Sequence, residues 1–155
     1  MGKEHTKDLL KFLKAFEPEK RKTALWLREF VWDLYPDCNE LIYDNYNALA
    51  FGWGLSDKLQ DVFCSVAVYG KGVNLGFNRG SEIPDEKKLL LGDGKLFRFI
   101  RAKDEADFPK AYAKKLLKYA YTNAKFRMQE KGNKQTLKGE TIVKSISEKK
   151  RRPEK

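Results

Sequence analysis

The sequence predicts an α+β domain: an antiparallel sheet of about four to six strands, with two N-terminal helices and one C-terminal helix on one face. Three observations predict it. Residues 40–80 alternate apolar and polar or small positions in short runs, the period of strands. Residues 7–34 place their apolar side chains at helical spacing. The same spacing returns after residue 104, so helices bracket a block of strands, an order that favours helices packed on one side of an antiparallel sheet.

In KDLLKFLKAF (7–16), Leu9, Leu10, Phe12, Leu13 and Phe16 share a helical stripe with lysines between them, and Thr6 is the predicted N-cap. Pro18 suits the first turn of a second helix, with Glu17 and Glu19 at its positive end. That helix runs through Trp26, Phe30 and Leu34 and stops before Pro36, which drives Tyr35 out of the helical region. ELIYDN is a first strand. NALAFGWG is a second, with small Ala48, Ala50 and Gly52 alternating with large Leu49, Phe51 and Trp53, so one face packs on bulk and the other allows close approach. DVFCSVAVYG is a β-branched strand, Gly70-Lys71-Gly72 a hairpin, and VNLGFN its return. Residues 79–95 form a long connection in which PDEKKLLLG is expected to make a short helix. KLFRFIRA is a further strand, with Phe97, Phe99 and Arg101 on one face. A last helix opens at Asp104 to Pro109 and stops near Glu130 at Gly132.

At 155 residues the chain is one domain with a single core. The expected division is residues 1–130 as the α+β domain and 131–155 as a basic tail, an edge strand (TIVKSI) followed by disorder. No apolar run approaches the roughly 18 residues that span a bilayer, and MGKEHTKDLL has charges where a secretory core would lie, so a cytoplasmic location is expected. Cys38 and Cys64 are then free thiols. The net charge is +10, and the tail concentrates it, with nine Lys/Arg against three Glu. Lys149, Lys150, Arg151 and Arg152 are the expected contacts for weak, salt-sensitive binding of nucleic acid.

His5 is the single histidine, which argues against Ser-His-Asp, Cys-His and His-zinc chemistry, and there is no phosphate-loop or dinucleotide motif. No nucleophile–base pair is visible, no cofactor is implied by these residues, and a binding role is expected rather than an enzyme. Polar residues gather where the strands end: Tyr43, Asp44, Tyr46 and Asn47, then Tyr69, Lys71 and Asn74, then Asn78 and Arg79, then Arg98 and Arg101. Arginine forks match carboxylate or phosphate, and Asn and Tyr orient them. The expectation is a cleft for a small anionic ligand or an acidic partner segment.

FEPEKR (16–21), ELIYDNYNALAFGWG (40–54), FCSVAVYGKGVNLGFNRG (63–80), GDGKLFRFIR (92–101) and TIVKSISEKKRRP (141–153) occur in that order. With them the chain resembles the YdhG-like family of small bacterial proteins (domain of unknown function 1801) over most of its length. The resemblance implies a frataxin-like fold, a sheet with helices on one side. It also implies an alternative function, since some members are labelled frataxin-like iron chaperones. Frataxin holds iron through acids on its first helix and adjoining strand. Here the first helix carries Lys7, Lys11 and Lys14 against Asp8, and the densest acids are Asp33, Asp37, Glu40 and Asp44. Those four are the metal candidates under that alternative.

Overall fold

The structure, a computed structural model, describes residues 7–45 and 48–147. Thr6, His5, Tyr46, Asn47 and Lys149 to Arg152 lie outside the described residues. Helix α1 spans Lys7–Leu13 and α2 spans Pro18–Leu34. Strands β1 (Asn39–Asp44), β2 (Ala48–Gly54), β3 (Val62–Tyr69), β4 (Gly72–Phe77) and β5 (Arg98–Ala102) follow, then α3 (Lys110–Glu130) and β6 (Thr141–Ile146). The protein is α+β, with one six-stranded sheet in the order β5-β4-β3-β2-β1-β6.

The first five strands pair antiparallel with their sequence neighbours. The tail strand β6 also joins the sheet, but parallel to β1. A parallel neighbour needs a long crossover, and α3 supplies it. Its 21 residues extend ~31 Å at 1.5 Å per residue. Crossing from β5 at one edge to β6 at the other takes ~24 Å for five strand spacings.

Alternation in β2 sets the core. Leu49, Phe51 and Trp53 are buried with Val66, Val68, Leu75 and Phe77 from β3 and β4, and they meet Leu9 and Leu13 of α1, Leu27 and Val31 of α2, and Leu116 and Leu117 of α3. A register shift between Trp53 and Gly54 makes Phe63 the extra residue of a β-bulge. Phe63 and Cys64 both enter the core as a result, while Val62 lies against Gly52. Phe63 packs edge-on against the rings of Tyr35 and Tyr121.

Beneath β6 lies a charged pair. Arg28 Nε donates to Glu40 Oε2 at 2.7 Å and Nη2 to Oε1 at 3.1 Å, with Arg28 1% and Glu40 0% exposed. The Thr141 hydroxyl donates to Glu40 Oε1 at 2.7 Å, tying the tail strand to the pair.

The expected helix at PDEKKLLLG does not form. The Asp85 carboxylate accepts from the amides of Leu89 and Leu90 and from the Tyr112 hydroxyl, and Lys88 adopts φ 54°. A side chain that satisfies nearby amides competes with helix hydrogen bonds. Leu91 instead forms an antiparallel bridge with Phe99. Helix α1 also ends three residues early, where Phe16 N turns back to Leu13 O.

Candidate functional site

The polar residues expected to form one cleft are divided between the two ends of the sheet. Strand β4 starts at the hairpin with Gly72 and ends at Phe77, just before Asn78 and Arg79, ~20 Å away at 3.4 Å per residue. Arg98 pairs opposite Phe77, at the same end as Arg79, whereas Arg101 pairs opposite Asn74 towards the hairpin.

Arg79 is held by Glu82, with Nε and Nη2 each 2.8 Å from a carboxylate oxygen, and Arg127 stands 3.9 Å from the same carboxylate. The hydrogen bond from Arg79 keeps the Glu82 carboxyl below its ordinary range, so this pair stays ionised. Arg98 donates through Nη1 to the carbonyls of Gly94 and Phe97 and braces the loop that leads into β5. Tyr43 and Asn78 line a groove on the sheet face opposite the helices. Asp44 is buried at the end of β1.

Tyr69, Lys71, Asn74 and Arg101 do come together. Arg101 Nη1 donates to the Lys71 carbonyl at 3.0 Å and Nη2 to the Tyr69 hydroxyl at 2.7 Å. Its guanidinium lies 5.5 Å from the Tyr69 ring centroid and 5.8 Å from that of Phe99. Asn74 Nδ2 donates to the same hydroxyl at 3.1 Å. A guanidinium has five N–H donors; two are engaged here, among the described residues, and three remain to meet an acceptor. Stacking and hydrogen bonding hold the fork before any ligand arrives.

A cleft of about 480 Å³ opens beside Arg101. Its other walls are Lys71, Gly72 and Val73 of the hairpin, Ala102 and Lys103 at the end of β5, and Glu17, Glu19, Lys20 and Thr23 at the start of α2. Lys20 Nζ donates to Gly70 O at 2.6 Å and Thr23 Oγ1 to Lys103 O at 3.3 Å, so the helix start is tied to both strand ends. Pro18 opens α2 and Glu17 makes no side-chain cap, so the helix presents its positive end here without a capping oxygen. Four cations against two carboxylates make the cleft net positive. Lys20, Thr23 and Lys103 escaped the sequence reading because no local signal says that α2 starts against the β3–β4 hairpin, 50 residues downstream.

The acids of the iron alternative are not brought together. Asp33 lies on α2 and Asp37 beyond its end, Asp44 is at the far end of β1, and the Glu40 carboxylate is taken by Arg28 and Thr141. Among the described residues no group of three or more His, Cys, Asp or Glu is placed to hold a metal ion. A hard cation needs several oxygens converging on one point, so these residues do not fit iron. No helix among the described residues is long and apolar enough to cross a membrane. Comparison of the chain with family models, with curated proteins and with solved structures finds no match.

Proposed function

We propose that this protein is a binding domain for a small carboxylate or phosphate, taken up in the cleft between the start of α2, the β3–β4 hairpin and the end of β5. The observation that carries the reading is Arg101, held by the Tyr69 hydroxyl and the Lys71 carbonyl with donors to spare, at the edge of a cleft that also presents Lys20, Lys71 and Lys103. A fixed fork loses little freedom on binding and suits the paired oxygens of a carboxylate or phosphate. Glu17 and Glu19 on one wall disfavour a large polyanion and select a compact ligand that reaches the cations without passing them. The resemblance to the YdhG-like family is compatible with this, since two of its matching segments, FCSVAVYGKGVNLGFNRG and GDGKLFRFIR, supply Lys71 and Arg101.

The test is calorimetric titration with inorganic phosphate and citrate at low ionic strength. Arg101→Ala should weaken binding at least tenfold, about 1.4 kcal/mol. Arg79→Ala, at the opposite end of the sheet, should leave it unchanged. Equal binding by wild type and Arg101→Ala would remove the site.

A further inference from the structure

We infer that the sheet face opposite the helices carries a second binding site, for a small uncharged heteroaromatic ring. The pairing registers place Tyr43, Ala50, Ala67, Asn74 and Arg101 on one rung across this face. Leu41, Gly52, Ser65, Gly76 and Phe99 form the next. Beside Asn74, strands β2, β3 and β4 therefore present Ala50, Gly52, Ser65, Ala67 and Gly76 here, while their opposite face carries Leu49, Phe51, Trp53, Val66, Val68 and Leu75. The outer face of an antiparallel sheet ordinarily carries polar side chains; here it carries mostly small ones, which leaves a low floor.

Walls stand around this low floor. A cavity of about 360 Å³ is bounded by Tyr43 on one side, Phe97 on the other, and Leu59 and Val62 at one end. The glycines seat these walls. A Cβ on Gly76 would stand 2.5 Å from Phe97 Cζ, and one on Gly52 would stand 2.8 Å from Val62 Cγ1. The Phe97 ring rests in the space that Gly76 leaves. A volume near the lower end of the ~300–1,000 Å³ typical of ligand pockets suits one or two fused rings.

The chemistry of the lining selects the ligand. The chain holds 32 Lys/Arg and 22 Asp/Glu, yet among the described residues no charged side chain lines this cavity. A charged ligand would lose water here and gain no counter-charge. The polar groups are neutral ones: Tyr43 OH, Ser65 Oγ and the amides of Asn45 and Asn78. Burial raises the Tyr43 pKa, so its phenol remains a proton donor. Flat rings that carry both donors and acceptors on their edges meet all of these conditions, between two aromatic walls that favour stacking or edge contact.

The test is titration of the full chain with adenosine, uridine and nicotinamide, with benzyl alcohol as an apolar control, followed by amide chemical shifts. At least one heteroaromatic should move the Ala50, Gly52, Ser65 and Gly76 amides saturably, and benzyl alcohol should bind at least tenfold more weakly. Ala50→Leu should fill the cavity and reduce that binding at least tenfold. Phe97→Ala, which removes a half-exposed wall, is the second variant should the first fold poorly. Arg101→Ala should have no effect, which separates this site from the anion cleft. Three outcomes overturn the inference: no saturable shift with any heteroaromatic, benzyl alcohol binding as tightly (the mark of a docking face for a partner's apolar side chain), or binding that survives both cavity variants.

Discussion

Removing the Glu40 carboxylate while leaving Arg28 in place should be among the most damaging single changes available. In Glu40→Leu the Arg28 guanidinium, 1% exposed, loses both carboxylate contacts, at 2.7 and 3.1 Å, and keeps its charge in a buried place. Breaking a buried pair from one side costs roughly 3–5 kcal/mol. At about 2–4 °C per kcal/mol for a chain of this size, the Tm should fall by roughly 6–20 °C. The Thr141 hydroxyl also loses its acceptor, which loosens β6. Replacing both partners, Arg28→Met with Glu40→Leu, removes the stranded charge and should recover most of the loss. Urea unfolding of wild type, single and double variants measures this directly. A loss below about 1 kcal/mol in the single variant, or a double variant no more stable than the single, would refute the reasoning.

Two further predictions concern pH and the loop before β5. Burial, with Asp37 adding to it, pushes the Cys38 thiol from an ordinary 9.0 to about 12. The unfolded chain thus releases this proton first, so the contribution to stability is complete below pH 9 and falls by ~1.4 kcal/mol per unit as pH rises towards 12; urea midpoints at pH 9 and 10 should diverge more for wild type than for Cys38→Ala, and parallel curves would contradict this. Burial opposes the charge on Asp85, but its bonds from Tyr112, Leu90, Leu89 and Lys88 prevail and hold its pKa below 3.8. Its stabilisation is present above pH 4 and is lost as pH falls below it. Asp85→Ala should therefore cost about 2 kcal/mol at pH 7 and less at pH 3, an equal cost at both being the contrary result.

Local patterns made most of the fold legible. The alternation of Ala48, Leu49, Ala50 and Phe51 named both faces of β2, and Pro18, Pro36 and Gly132 marked the ends of helices. The parallel pairing of β6 was hidden because it depends on α3 crossing the whole sheet, a distance that no short window contains. At PDEKKLLLG, helical composition yielded to Asp85, whose partners include Tyr112, 27 positions away. For the site, Tyr69, Lys71, Asn74 and Arg101 were readable because one hairpin and one neighbouring strand unite them. Grouping Arg79 and Arg98 with Arg101 treated strand ends as a single place, whereas a strand has two ends and two faces. Lys20 and Thr23 reach the cleft through packing between α2 and the hairpin, which only the assembled core determines.

The most direct test of the anion cleft is an amide chemical-shift map of the full chain titrated with phosphate. Binding in the cleft predicts saturable shifts at Glu19, Lys20, Lys71, Gly72, Arg101 and Lys103, abolished by Arg101→Ala. Shifts confined to Lys149, Lys150, Arg151 and Arg152, or centred on Arg79 and Arg98, would contradict it.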